Sequence, residues 1–204
     1  MKKAIVCGLW IIILGTLGIV IALWMKKADP QSEDIRSMPY KERGAYLLTK
    51  RYPTDVIWFG EYSELEYAIN VRFPGTISRD SIKKEENCSK AMIVINDYSS
   101  ETGVTKDDID LIFEILSTDS RYIFFYMGRK NLAYIGEVFD QSKNDGTKCG
   151  IDPDYCTDVI VVHYNGEWKL VSGGQLDEIV GRGMNLSEEV YGAMDTCCTL
   201  FWGY

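Results

Sequence analysis

Four apolar runs of strand length control what this chain can fold into: Val56 to Phe59, Met92 to Ile95, Tyr122 to Met127, and Val159 to Val162. None alternates cleanly between apolar and polar residues. Half-exposed strands alternate, so continuous runs predict strands covered on both faces, as in a largely parallel sheet between helices. The segments between them fit helices. Ile109, Ile112, Phe113 and Leu116 share one helical face, behind Thr105 and Asp108 at capping-box spacing. Leu132, Ile135, Val138 and Phe139 share another, with Asn131 in the capping position. Further helices are expected over Tyr40 to Lys50, stopped before Pro53, and from Leu186 along Val190, Ala193, Met194, Cys197 and Phe201. Asn165-Gly166 between two apolar runs predicts a hairpin in which His163 faces Trp168 and Val161 faces Leu170. Leu65 to Phe73 is a candidate strand beside Val56–Phe59, and Pro74 to Lys90 is polar and poorly patterned. The expected fold class is therefore α/β: a mostly parallel, mixed sheet flanked by helices, with a C-terminal β-hairpin and helix.

The amino-terminal end is of another kind. Residues 4–24, AIVCGLWIIILGTLGIVIALW, carry no charge and are bracketed by Lys2-Lys3 and Lys26-Lys27. As a helix this run rises about 30 Å, the thickness of the hydrocarbon core. The rival reading is a cleaved signal peptide. Its apolar core would be about 7–15 residues followed by a small-x-small site, whereas this run is longer and ends Leu-Trp-Met-Lys-Lys. The expected organisation is a transmembrane anchor over residues 1–24, a polar linker over 25–38 and a globular domain over 39–204. Counting Lys and Arg leans slightly towards a cytoplasmic body. The short Met-Lys-Lys head before one apolar helix has the form of an uncleaved export signal, and on that ground the body is placed outside the cytoplasm.

A net charge of −8 argues against nucleic acid as a partner, since that binding is dominated by phosphate neutralisation. Six cysteines are too few for a dense disulfide framework in 204 residues. Cys149 and Cys156 bracket Gly-Ile-Asp-Pro-Asp-Tyr in a turn-rich loop, so a bridge between them is plausible if the body is exported; if it is cytosolic, both are reduced. Cys197 falls on the apolar stripe and reads as core. The single histidine, His163, reads as half of a cross-strand pair. No GxSxG elbow, GxGxxG turn or P-loop spacing is present, so acyl-transfer and dinucleotide chemistry have no motif to rest on. No cofactor is implied.

In an open α/β sheet, ligands sit beyond the carboxyl ends of the strands. If the Met92 and Tyr122 strands are parallel neighbours, their following loops share one rim. The candidate site residues there are Asp97, Ser99, Glu101 and Arg129, with Glu61 able to join them. Carboxylates, a hydroxyl and a guanidinium can together hold a divalent cation or an anion. The segment Asp97-Tyr98-Ser99-Ser100-Glu101 resembles the D-x-S-x-S metal-dependent adhesion motif of von Willebrand A domains. Asp97 and Ser99 match, Glu101 replaces the second serine, and no counterpart of that family's later threonine and aspartate can be placed. The competing reading is a turn: Asp and Ser after a strand bond to nearby backbone and cap the next helix.

Two functional readings follow. The first is a single-pass, membrane-anchored, extracytoplasmic binding or interaction module, touching the membrane through residues 4–24 and a protein partner through its body. The second is a metal-dependent hydrolase with Asp97, Glu101 and Glu61 as ligands and Arg129 holding an anionic substrate.

Overall fold

Each apolar run forms a strand, and two further strands join them. In the computed structural model, which describes residues 30–61, 70–98, 102–174 and 186–202, the strands are β1 (Thr54–Gly60), β2 (Asn70–Arg72), β3 (Lys90–Asn96), β4 (Tyr122–Met127), β5 (Cys156–Tyr164) and β6 (Glu167–Gly174). They make one six-stranded sheet in the order β2-β1-β3-β4-β5-β6. The pairings β2–β1, β1–β3 and β3–β4 are parallel, and β4–β5 and β5–β6 are antiparallel. The protein is thus α/β with a mixed sheet flanked by helices. The hairpin has the expected register, with His163 opposite Trp168 and Val161 opposite Leu170. Asn165 and Gly166 both take positive φ, 54° and 77°, as the tight turn that matches strand twist requires.

Both faces of the sheet are covered, which explains the missing alternation. On one face Ile57, Phe59, Ile93, Ile95, Phe124, Tyr126, Val159 and Val161 pack with helices α3 (Lys106–Thr118) and α4 (Leu132–Lys143). On the other, Val56, Trp58, Met92, Val94, Phe125 and Ile160 are buried, and helix α5 (Leu186–Cys197) lies over Phe125 and Ile160. Each such side chain contributes roughly 1.5–3 kcal/mol on burial. Arg43 of α2 (Tyr40–Tyr46) fastens α2 to α5 through a two-pronged ion pair with Asp195, 2.6 and 2.8 Å. The closing aromatics pack too: the Trp202 ring lies 5.8 Å from Tyr52 and has the Lys90 ammonium 4.0 Å from its centroid.

α3 starts at the expected capping box. The Thr105 N–H donates to Asp108 Oδ2 at 2.8 Å, and the Asp108 N–H donates to Thr105 Oγ1 at 3.3 Å. The short edge strand β2 is held by a buried carboxylate. Asp55 accepts from Arg72 Nε and Nη2 at 3.0 and 2.7 Å and from the Glu85 N–H at 3.0 Å. This knot orders the unpatterned segment 74–89, where no sequence period could show it.

The chain divides into two compact units, residues 1–39 with Tyr204, and Tyr40–Gly203. Among the described residues the first holds helix α1 (Pro30–Ser37). Part of the expected polar linker is therefore helical. Pro30 stands at its first position, where a missing N–H costs nothing. No helix among the described residues is long and apolar enough to cross a membrane. The run 4–24, the candidate residues Ser99 and Glu101, and the glycine-rich stretch 175–183 lie outside the described residues.

Cys149 and Cys156, expected to pair only if the body is exported, stand as free thiols in this structure. Cys149 turns towards α4, its thiol 3.8 Å from the Gly136 carbonyl, while Cys156 opens β5 opposite Gly174. Cys197 is fully buried, as its place on the stripe implies.

Candidate functional site

The strand order reverses at β1. Its next strand in the chain, β2, pairs on one side, and β3 pairs on the other. Connections diverge at such a point and leave a crevice beyond the strand ends, where open α/β sheets bind ligands. A cavity of about 420 Å³ lies there. Trp58, Phe59 and Gly60 line it from the end of β1, Phe73 and Thr76 from beyond β2, and Thr102 to Val104 from the loop after β3. Phe73 is 53% exposed, a large apolar side chain held at the mouth.

The rim behind this cavity is drawn tight by two glycines. Gly60 has φ +92°, and a Cβ there would stand 2.1 Å from the Asn96 carbonyl oxygen. Gly128 has φ +139°, and a Cβ there would stand 2.8 Å from the Asp97 carbonyl. Side-chain bonds then lock the strand ends together. Asn96 Nδ2 donates to the Glu61 carbonyl at 2.7 Å, and Trp58 Nε1 donates to the same oxygen at 3.0 Å.

Asp97 is 4% exposed and its carboxylate is occupied from within. Oδ1 accepts from the Thr102 hydroxyl. Oδ2 accepts from the Tyr126 hydroxyl at 2.6 Å and from Asn131 Nδ2 at 3.1 Å. The Tyr126 oxygen in turn accepts from the Asn131 N–H at 3.0 Å. Burial, and then the carboxylate beside it, push the Tyr126 phenol far above its usual range, so it stays a donor. Asn131 does stand at the start of α4, but its side chain makes no cap. The buried acceptors Asp97 and Val104 take its amide instead. This arrangement secures the β3 turn and the entrances of α3 and α4.

β3 and β4 are parallel neighbours, so their loops do share one rim. Arg129 nevertheless reaches across to the carbonyls of Pro153 and Asp154, at 3.2 and 3.4 Å. The structure brings Asp97 together with Tyr126, Asn131 and Thr102. Among the described residues, no group of three His, Cys, Asp or Glu side chains is placed to hold a metal. A cation at Asp97 would have to compete with three internal donors. What the site offers is a pocket of mixed lining, with Trp58, Phe59, Ile77 and Val104 beside Thr76, Thr102 and Asp108, and an aromatic lip at Phe73. Sequence reasoning missed Phe73 and Thr76, which follow a three-residue strand too short to leave a pattern.

No protein-family model, curated protein or solved structure matches this chain, so the geometry itself carries the functional reading.

Proposed function

We propose that this chain is a membrane-anchored binding module, tethered through residues 4–24, whose extracytoplasmic α/β body engages a protein partner at the crevice beyond β1 and β3. The observation that carries this reading is the cavity with Phe73 exposed at its lip. Apolar side chains presented at a pocket mouth gain free energy when a partner covers them, and such pockets anchor interfaces. The rim's polar groups support the same reading. Asp97, Asn96 and Asn131 are spent on holding the scaffold, which suits a preformed pocket. The partner group it fits is an aliphatic or aromatic side chain entering between Phe73 and Val104.

The test uses the full chain in its native membrane. A photo-crosslinking residue at Thr76 should give one discrete adduct, weakened by Phe73→Ala. The same residue at Tyr155, 72% exposed and outside the cavity's lining, should give none. Equal adducts from both positions, or none from Thr76, overturn the reading. Sidedness is read separately, by a membrane-impermeant thiol reagent on intact cells: modification of Cys149 and Cys156 before lysis supports an external body, and modification only after lysis refutes it.

A further inference from the structure

A second cavity lies on the other side of the sheet. It has a volume of about 170 Å³, between β5 and α5. Phe125, Ile160 and Val171 form its apolar floor. Two carboxylates face it, Asp158 from β5 and Glu189 from α5, with the Thr196 and Tyr40 hydroxyls also in its wall. Asp158 is 93% buried, being 7% exposed, yet no hydrogen-bond donor or counterion among the described residues reaches its carboxylate. Buried carboxylates are normally paired, and one without a partner calls for a cationic ligand.

The walls decide which cation. A divalent ion such as Ca²⁺ wants about six to eight oxygens, and here only two carboxylates line the cavity beside Phe125, Ile160, Val171 and Ala193, with no third metal-ligating side chain among the described residues. A primary ammonium needs only three acceptors, and its alkyl chain gains by lying along apolar side chains. We propose that this cavity binds an alkylammonium group, its head between Asp158 and Glu189 and its chain along Phe125, Ile160 and Val171. The same chemistry can come from a free alkylamine or from the lysine side chain of a partner.

Proton linkage gives this site a signature. Burial, and then the charge of Glu189, push the Asp158 carboxyl up to about 7. Glu189 of α5 and Tyr40 of α2 are the titratable groups facing it; β4 and β6 contribute only Phe125 and Val171. An alkylammonium stays charged across this range, so affinity should follow ionisation of Asp158 and rise about tenfold from about pH 6 to about pH 8.

The experiment titrates the full-length purified chain with n-butylammonium, with Nα-acetyl-lysine methylamide and with neutral n-butanol, by calorimetry at the two pH values. Saturable binding of an amine but not of butanol is expected, tighter at the higher pH. Asp158→Asn should lower affinity at least tenfold, and Glu189→Gln several-fold. Tighter binding of butylammonium assigns a free amine, and tighter binding of the lysine analogue assigns a partner's lysine. Absence of amine binding, equal binding of butanol, a flat pH response, or unchanged affinity in both variants would overturn the proposal. Asp158→Asn removes a buried charge and keeps the side-chain volume, so it should fold, and Glu189→Gln gives an independent arm.

Discussion

Gly60 and Asn96 end adjacent parallel strands so closely that a Cβ on Gly60 would stand 2.1 Å from the Asn96 carbonyl oxygen. Gly60 also has φ +92°, which L side chains rarely adopt. Gly60→Ala therefore has to pry β1 from β3 at the crevice itself. It should cost about 2–4 kcal/mol in chemical denaturation. It should also weaken the Thr76 crosslink more than an equally destabilising change elsewhere.

The Asp97 knot predicts a different pattern. Tyr126→Phe removes a donor to Asp97 and leaves the Asn131 N–H without its acceptor. The expected loss is about 1–3 kcal/mol. Because the Asp97 oxygens are already engaged, Mg²⁺ or Ca²⁺ should leave the melting temperature of the full chain unchanged. A metal-dependent rise that Asp97→Ala abolishes would instead revive the hydrolase reading.

Asp158 couples stability to pH with a defined sign. Its folded-state carboxyl is raised from 3.8 to about 7, so the folded state disfavours the ionised form. Below the lower value both states are protonated and there is no penalty. The penalty grows as pH rises between the two values and is complete above the upper one. Asp158→Asn should therefore leave stability unchanged near pH 3.5 and raise it by roughly 2–4 kcal/mol near pH 8. Denaturation curves at the two pH values check this, and equal effects at both would show that the carboxyl is not desolvated.

Arg72→Met tests the β2 staple. It strands the fully buried Asp55 carboxylate with only the Glu85 N–H as donor. Breaking one side of a buried pair costs about 3–5 kcal/mol. Hydrogen exchange should speed up first in β2 and in residues 74–89. Asp55→Asn with Arg72→Met should recover part of the loss, because no uncompensated charge remains.

The elements were legible because each had a local cause. Continuous apolar runs became strands buried on both faces, Thr105 and Asp108 formed the capping box, and Asn165-Gly166 turned the hairpin. The rim was legible in part, since a polar residue after a buried strand is visible as Asp97. Its partners were not. Tyr126 sat inside an apolar run and reads as core, and Asn131 reads as a helix cap. Nothing in the local pattern marks Asp158, which directly precedes the apolar run Val159 to Val162, or Glu189 in the helix across the cavity from it.

By itself the sequence determined the α/β class, the strand and helix segments and the uncharged run at residues 4–24. All of these follow from periodicity, capping and hydropathy, which act between near neighbours. Only the tertiary structure decided that β2 and β3 flank β1, that Asp97 closes on Tyr126 and Asn131, and that Asp158 faces Glu189 across a cavity. Those pairings join residues far apart in the chain. Strand order and the burial of polar groups set them, and neither leaves a trace in local pattern.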